Sequence, residues 1–322
     1  MLVKSKQKVI INGREVKLSS KLNRRRDNML LTMCIPGLIK LFVFAYIPMI
    51  GVYLAFVDYS PRLGLRSPFV KLENFEFFFK SGDAVKIIST TILTNFLFII
   101  VGLFISVTLA ILMNEVRSKT FLKFVQGVSF IPYFLSWLVV GYLFTAFLDN
   151  HGIISKAISS LKGVKEYSFY SSPDYWLGIL TFGNMWKSVG VTGVIYLANI
   201  MGIDPEMYDA ADLDGASWLQ KVFHITLPFL IPMICVMTIM NIGNIVRSDF
   251  GLFFFMTRNS GPVMRKYEVI DTYVYKLTME SSASDAVQRS AAAGLLQSIT
   301  GMSLVLISNA VVRKINKESS LF

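Results

Sequence analysis

Apolar stretches long enough to cross a lipid bilayer recur six times in this chain, at about residues 29–57, 87–113, 124–148, 175–201, 225–246 and 291–312. Hydrocarbon offers no partner for a backbone N–H or C=O, so segments of this length must satisfy those groups internally, which a helix does. The expected fold is therefore an all-α membrane protein with six transmembrane helices, preceded by a polar tail at residues 1–28. Prolines 36, 48 and 132 fall inside these stretches and make kinks there plausible.

Charge orients the spans. The tail carries Lys4, Lys6, Lys8, Arg14, Lys17, Lys21 and the run Arg24, Arg25, Arg26. Further bases sit in the short link at Arg117, Lys119 and Lys123, and after the last span at Arg313, Lys314 and Lys317. By the positive-inside tendency these positions are cytoplasmic, which places both termini there and the loops 58–86, 149–174 and 247–290 outside. The formal net charge of +11 is thus accounted for by topology and by attraction to anionic membrane lipid, without nucleic acid as a partner. The external segment 247–290 reads as loop with short amphipathic helices, and part of 58–86 as a short helix on the bilayer surface. No cleavable signal precedes the first span, because a polar tail of nearly thirty residues does.

Enzymatic chemistry finds little support. The sequence has no G-x-x-x-x-G-K-[ST], no H-E-x-x-H and no G-x-S-x-G. Cys34 and Cys235 lie in apolar stretches, and His151 and His224 lack metal-ligand spacing, so no metal and no cofactor is expected on this chain.

One cytoplasmic loop breaks the charge rule. Residues 204–228 hold five acids (Asp204, Glu206, Asp209, Asp212 and Asp214) against one base, Lys221. Asp204 followed by Pro205 reads as a helix N-cap with proline in the first turn. Gly215 marks a tight turn, and Ser217 with Gln220 has capping-box spacing, which restarts a helix at Trp218. An acidic, structured loop where bases are expected points to protein docking.

That run resembles the EAA coupling loop of ABC-importer membrane subunits, roughly E-A-A-x-x-D-G-A and then I-x-L-P. Asp209 stands where the family usually has Glu. Ala210, Ala211, Asp214, Gly215 and Ala216 follow in step, and Phe223, Ile225, Leu227 and Pro228 match the tail. The stretch YIPMIGVYLAFVDYSPRLG at 46–64 resembles the first-span exit of the polysaccharide-type sugar permeases. VIDTYVYK at 269–276 resembles their segment before the last span, where arginine is more usual at the final place.

The resemblance implies a maltose-permease-like type I importer core over 29–322, in a bacterial cytoplasmic (inner) membrane. It also implies a second homologous permease, two copies of a nucleotide-binding ATPase subunit that hold ATP and Mg²⁺, and an extracytoplasmic sugar-binding protein. Residues 206–212 and 218–224 would then be coupling helices, with Glu206 and Asp209 as acidic contacts, Gly215 as a steric pivot, and Trp218 and Phe223 as apolar anchors. Asp209 is expected to cap or to pair within the loop or with the ATPase.

Polar residues at membrane depth are candidates for a solute path. Asn184, Lys187 and Ser188 cluster in the fourth span, and Asn241 and Asn244 share a face of the fifth. Arg247 and Asp249 follow at its outer end, placed to pair with each other or to meet a delivering protein. Structural readings compete at each place: Lys187 as a paired or snorkelling lysine, and the asparagines as interhelical hydrogen-bonders. Two other functions compete for the chain, an importer of a non-sugar solute and a secondary transporter. The latter calls for inverted repeats and paired midplane charges, which the sequence does not display.

Overall fold

The computed structural model describes residues 8–11, 14–17, 20–80, 82, 84–279, 285–315 and 320, with side chains from residue 28 onward except at 65, 77–80 and 315. Lys4, Lys6 and Lys317, among the bases used to orient the chain, lie outside the described residues.

Two compact units divide the chain, up to Leu54 and from Ala55 onward. In the first, strands β1 (Lys8–Ile11) and β2 (Arg14–Lys17) pair antiparallel, Lys8 opposite Lys17 and Ile11 opposite Arg14. The sequence between them reads Asn-Gly, a strong hairpin signal that a reading focused on charge passes over. Helix α1 (Ser20–Leu41) then passes through a π turn at Phe42–Tyr46 into a 3₁₀ stretch at Ile47–Phe56. Pro48 has no N–H to offer the carbonyl four residues back, and the helical repeat changes at that place.

The second unit is helical. It comprises α2 (Glu73–Lys80), α3 (Ala84–Asn114), α4 (Lys119–Phe134), α5 (Trp137–Leu148), α6 (Ile153–Lys162), α7 (Trp176–Ile200) and α8 (Pro205–Leu213). There follow α9 (Trp218–Lys221), α10 (Leu227–Gly243), α11 (Phe250–Thr257), α12 (Gly261–Tyr267), α13 (Ile270–Met279) and α14 (Ala286–Ile315). Among the described residues, five helical stretches are long and apolar enough to cross a membrane: Asn28–Phe56, Ala84–Asn114, Trp137–Lys162, Trp218–Gly243 and Ala286–Lys314. Helix α7, with 25 residues, is long enough but carries Asn184, Lys187, Ser188 and Thr192, which lower its apolarity.

Helix α7 is the central post. It lies along α3 and is crossed by α4. One apolar cluster gathers Phe98, Val140, Leu180, Phe253 and Met256 toward its start. A second gathers Ala110, Leu197, Ile200 and Leu230 toward its end. The α4 crossing depends on Gly190, where a Cβ would lie 2.0 Å from the Ser129 carbonyl oxygen.

Three elements differ from the expectation. Residues 124–148 do not form one helix: Leu135 and Ser136 are extended, and the Ser136 hydroxyl caps α5 by accepting from the Val139 N–H at 3.3 Å. Residues 218–224 are not a separate short helix, because α9 runs through a π turn at Val222–Thr226 directly into α10. The π turn sits where Pro228 leaves the His224 carbonyl without its i+4 donor. The segment after α10 is not simply amphipathic loop: α11 is almost wholly apolar, and its Leu252, Phe253 and Met256 are fully buried. Eight residues are too few to span a bilayer, so they pack into the protein instead. In the 58–86 loop the short helix is α2, and Asn74 at its start donates to the carbonyls of Ala55 and Val57, both at 3.0 Å.

Candidate functional site

The acidic loop is a locally determined structure. Asp204 caps α8, its carboxylate accepting from the Glu206 N–H at 3.1 Å, with Pro205 in the first turn. At the other end the Ala216 N–H donates to the Ala211 carbonyl at 2.9 Å and the Gly215 N–H to that of Asp212 at 3.1 Å. These are the two bonds of a Schellman motif, which requires a left-handed residue between helix and exit. Gly215 supplies it, at φ +75°. Ser217 then opens α9, its N–H donating to Gln220 Oε1 at 2.7 Å.

The loop is anchored to the helix that follows it: the Tyr208 hydroxyl meets Thr226 Oγ1 at 2.8 Å, and Lys221 pairs with Asp212 at 2.6 Å. Asp209 is exposed and forms no ion pair among the described residues. Glu206 is exposed as well, in the first turn of α8. Apolar side chains stand out from the same loop, Leu213 at 90%, Phe223 at 59% and Trp218 at 41% exposure. Exposed apolar groups ringed by acids are the features of a docking surface. Replacing Gly215 by alanine, which forces a Cβ into left-handed backbone, is expected to destabilise the loop by about 1 kcal/mol. A small drop in thermal midpoint with assembly retained would register it.

Between α3, α7, α10 and the segment after α10 lies a polar cleft of about 340 Å³. It brings together Asn184, Ser188, Asn241, Asn244, Arg247 and Asp249. The same cleft adds Thr192, a further polar residue of the fourth span, and Asn95, Ser106, Tyr196 and Thr238, which the sequence did not single out. Asn184, Ser188 and Thr192 follow one another four residues apart, the helical-face spacing that marks them as a row. Ser188 Oγ donates to the Asn184 carbonyl at 2.8 Å, and Thr192 Oγ1 to that of Ser188 at 2.8 Å. Amides and hydroxyls with a single guanidinium and a single carboxylate suit a hydroxyl-rich solute. Among the described residues no cluster of three or more His, Cys, Asp or Glu is placed to hold a metal ion.

Lys187 does not line this cleft. Its ammonium donates to the carbonyls of Tyr133 (3.1 Å) and Leu135, at the break between α4 and α5, and sits 5.1 Å from the Trp137 ring centroid. Nor are Arg247 and Asp249 joined by a salt bridge. Arg247 donates to Ser298 Oγ at 2.8 Å. Asp249 caps α11 through the Gly251 N–H at 2.9 Å and accepts from Trp137 Nε1 at 2.5 Å.

The non-helical backbone after α10 has its polar groups satisfied from three directions. Asn95 Nδ2 donates to the carbonyls of Ile245 (2.8 Å) and Arg247 (3.0 Å), Gln297 Nε2 to that of Val246 (2.9 Å), and the Ser248 N–H to Asp271 Oδ2 (2.7 Å). Burial pushes the Asp271 carboxyl above its ordinary value of 3.8, opposed by the hydrogen bonds from Ser248 and Gln297 and by nearby Arg247. The folded state then holds this proton more tightly than the unfolded one. Its contribution to stability is complete below the ordinary value and is lost as pH rises through the raised one. Asp271→Asn keeps an acceptor oxygen, and a flatter dependence of thermal midpoint on pH from about 4 upward is expected.

A helical membrane core with an exposed acidic turn at one end and a polar cleft along the same helices defines the permease subunit of a transporter. Residues 102–318 match the family described as binding-protein-dependent transport system inner membrane component, and the chain belongs to that family. It is 33% identical over 296 residues to Protein LplB of Bacillus subtilis (strain 168), covering 91% of each chain. It is 32% identical over 287 residues to the polygalacturonan/rhamnogalacturonan transport system permease protein YteP of the same organism, covering 89% of this chain and 88% of that one. Its fold superposes with a TM-score of 0.79 and 29% identity on a chain of a bacterial alginate ABC transporter solved with an alginate pentasaccharide-bound periplasmic protein, covering 92% of this chain and 98% of that chain. The protein is thus a multi-pass inner-membrane component of an ABC transport system, with the type I permease fold.

Proposed function

We propose that the chain forms half of the translocation path of an importer for oligosaccharides or polysaccharide fragments in a bacterial cytoplasmic membrane. The observation that carries this reading is the continuity of Trp218–Gly243, which begins in the exposed acidic loop and near its other end carries Asn241 in the polar cleft. A second, homologous permease completes the path, and an extracytoplasmic sugar-binding protein delivers the solute. Two ATPase subunits bind ATP and Mg²⁺ and carry out the hydrolysis, for which this chain has no site. Both termini lie with the loop on the cytoplasmic side.

In this mechanism the ATPase seats Trp218 and Phe223 as apolar anchors and contacts Glu206 and Asp209 as acids. Ala210, Ala211 and Ala216 keep the helix–turn surface low, and Asp214 with Gly215 sets the turn. Closure of the ATPase pair on ATP moves the loop, and the α9–α10 rod tilts with it. The cleft residues Asn184, Ser188, Asn241, Asn244 and Arg247 then exchange hydrogen bonds with sugar hydroxyls as the path opens to the other side. The relatives' own substrates, polygalacturonan and alginate, support saccharide chains as the solute class.

The test is ATP hydrolysis by the assembled complex in lipid discs, with neutral and uronic-acid oligosaccharides presented by the binding protein. One saccharide class is expected to raise turnover, and Asn184→Leu with Asn241→Leu to weaken that response. Stimulation by a non-sugar solute alone, or failure to co-purify with an ATPase, would overturn the reading.

A further inference from the structure

An apolar groove lies away from the polar cleft. It has a volume of about 480 Å³ and is walled by Phe144, Phe147, Ile154, Ile179, Phe182 and Trp186 of α5, α6 and α7, with Phe169 among the remaining residues. It belongs to the early half of α7, which starts at Trp176, whereas the acidic loop follows the other end of that helix at Ile200. The groove therefore faces the leaflet remote from the loop.

Helix α6 on its border buries two serines and leaves large apolar side chains outside. Ser155 is fully buried, its hydroxyl donating to the Leu148 carbonyl at 2.9 Å, and Ser159 is buried on the same face. Ile153 and Leu161 instead stand 72% and 86% exposed. With Ile153 and Leu161 exposed beside Lys156 and Ser160, the outer face of α6 is amphipathic, the composition of a helix lying at a membrane interface.

A cation closes this arrangement. Ile154, Ile158 and Lys162 are spaced by four, so they form one row that leaves the groove and ends on an ammonium about 12 Å along the helix. Lys162 Nζ donates to the Tyr175 hydroxyl at 3.0 Å and lies 4.5 Å from the Tyr167 ring centroid. Both rings pack edge-on against Phe169 in the groove wall, at 5.0 and 6.1 Å. Among the described residues no carboxylate pairs with Lys162. The nearby acids Asp149 and Asp174 are taken by Arg258 and Lys266, leaving Glu166 as the remaining acid of the segment. Lysine and tyrosine at the end of an apolar surface mark the headgroup level of a bilayer.

We propose that this groove binds an anionic phospholipid, with one acyl chain against Phe147, Phe182 and Trp186 and the phosphate at Lys162 and Tyr175. The site is independent of which solute the transporter carries. It ties the lipid to α7, the helix that also lines the cleft.

The complex purified with its partner subunits is titrated with phosphatidylglycerol or phosphatidylcholine carrying brominated acyl chains, which quench tryptophan on contact. The fluorescence of the Trp186→Phe complex is subtracted to isolate Trp186. Quenching of Trp186 at several-fold lower phosphatidylglycerol than phosphatidylcholine is expected. Lys162→Ala should erase that preference and Lys162→Arg retain it, at unchanged complex yield. Equal quenching by both lipids would mean annular lipid without headgroup selection, and absence of quenching would mean that the partner permease covers the groove. Either overturns the proposal, as does a preference that survives Lys162→Ala.

Discussion

Gly190→Ala is expected to prevent assembly of a stable permease, although it adds one methyl group. At that position α7 passes α4 so closely that the new Cβ would stand 2.0 Å from the Ser129 carbonyl oxygen and 2.6 Å from its carbon. The opposing atoms are backbone in the middle of a helix, so they cannot turn aside as a flexible side chain would. Relief requires the two helices to part, and α7 is also packed along α3. Overpacking of a core commonly costs about 1–3 kcal/mol, and a clash with immovable backbone belongs above that range, at about 4 kcal/mol or more. Yield of the complex and its thermal midpoint are the readouts. An unchanged midpoint would show that α4 and α7 do not cross at this distance.

Lys187→Met is expected to be nearly as damaging, and it separates two roles for that side chain. The ammonium donates to the Tyr133 and Leu135 carbonyls where α4 ends, within the membrane-spanning region. Methionine keeps the length and the apolar stem but leaves both carbonyls without that donor, at about 1–3 kcal/mol each. It also removes the charge over Trp137, whose indole N–H holds the Asp249 cap of α11. A loss of several kcal/mol in stability, with partial recovery in Lys187→Arg, is the expected outcome. A variant of normal stability with altered solute preference would instead put Lys187 in the path.

The elements legible in the sequence are those whose causes are local. Helix α3 at Ala84–Asn114 overlies the apolar stretch at 87–113 because apolarity over that length leaves a helix as the solution. The α8 cap, the Gly215 turn and the Ser217–Gln220 box are each set by residues within four positions of one another. What was hidden depends on distant partners. The break at Leu135–Ser136 lies inside an unbroken apolar run, and the lysine that stabilises it arrives 52 residues later. Helix α11 is apolar like a span but too short to be one, so its burial is decided by α5 and α7. In the cleft, the spacings of Asn184 with Ser188 and Asn241 with Asn244 were readable as shared faces. Asn95 was not, because a lone amide in the apolar α3 gives no sign that it holds the end of α10.

The unbroken run from Trp218 to Gly243 has a thermodynamic corollary. Its 26 residues form a rod about 39 Å long, joining the proposed docking loop and the proposed solute cleft in a single body. Free energies of binding at two ends of one body are reciprocal: if occupancy at the loop changes affinity at the cleft tenfold, about 1.4 kcal/mol, occupancy at the cleft changes affinity at the loop by the same factor. Under the proposed function, a peptide that competes for the loop shifts solute affinity by whatever factor couples the two sites, and solute affinity measured without the ATPase differs from that of the full complex by the same factor.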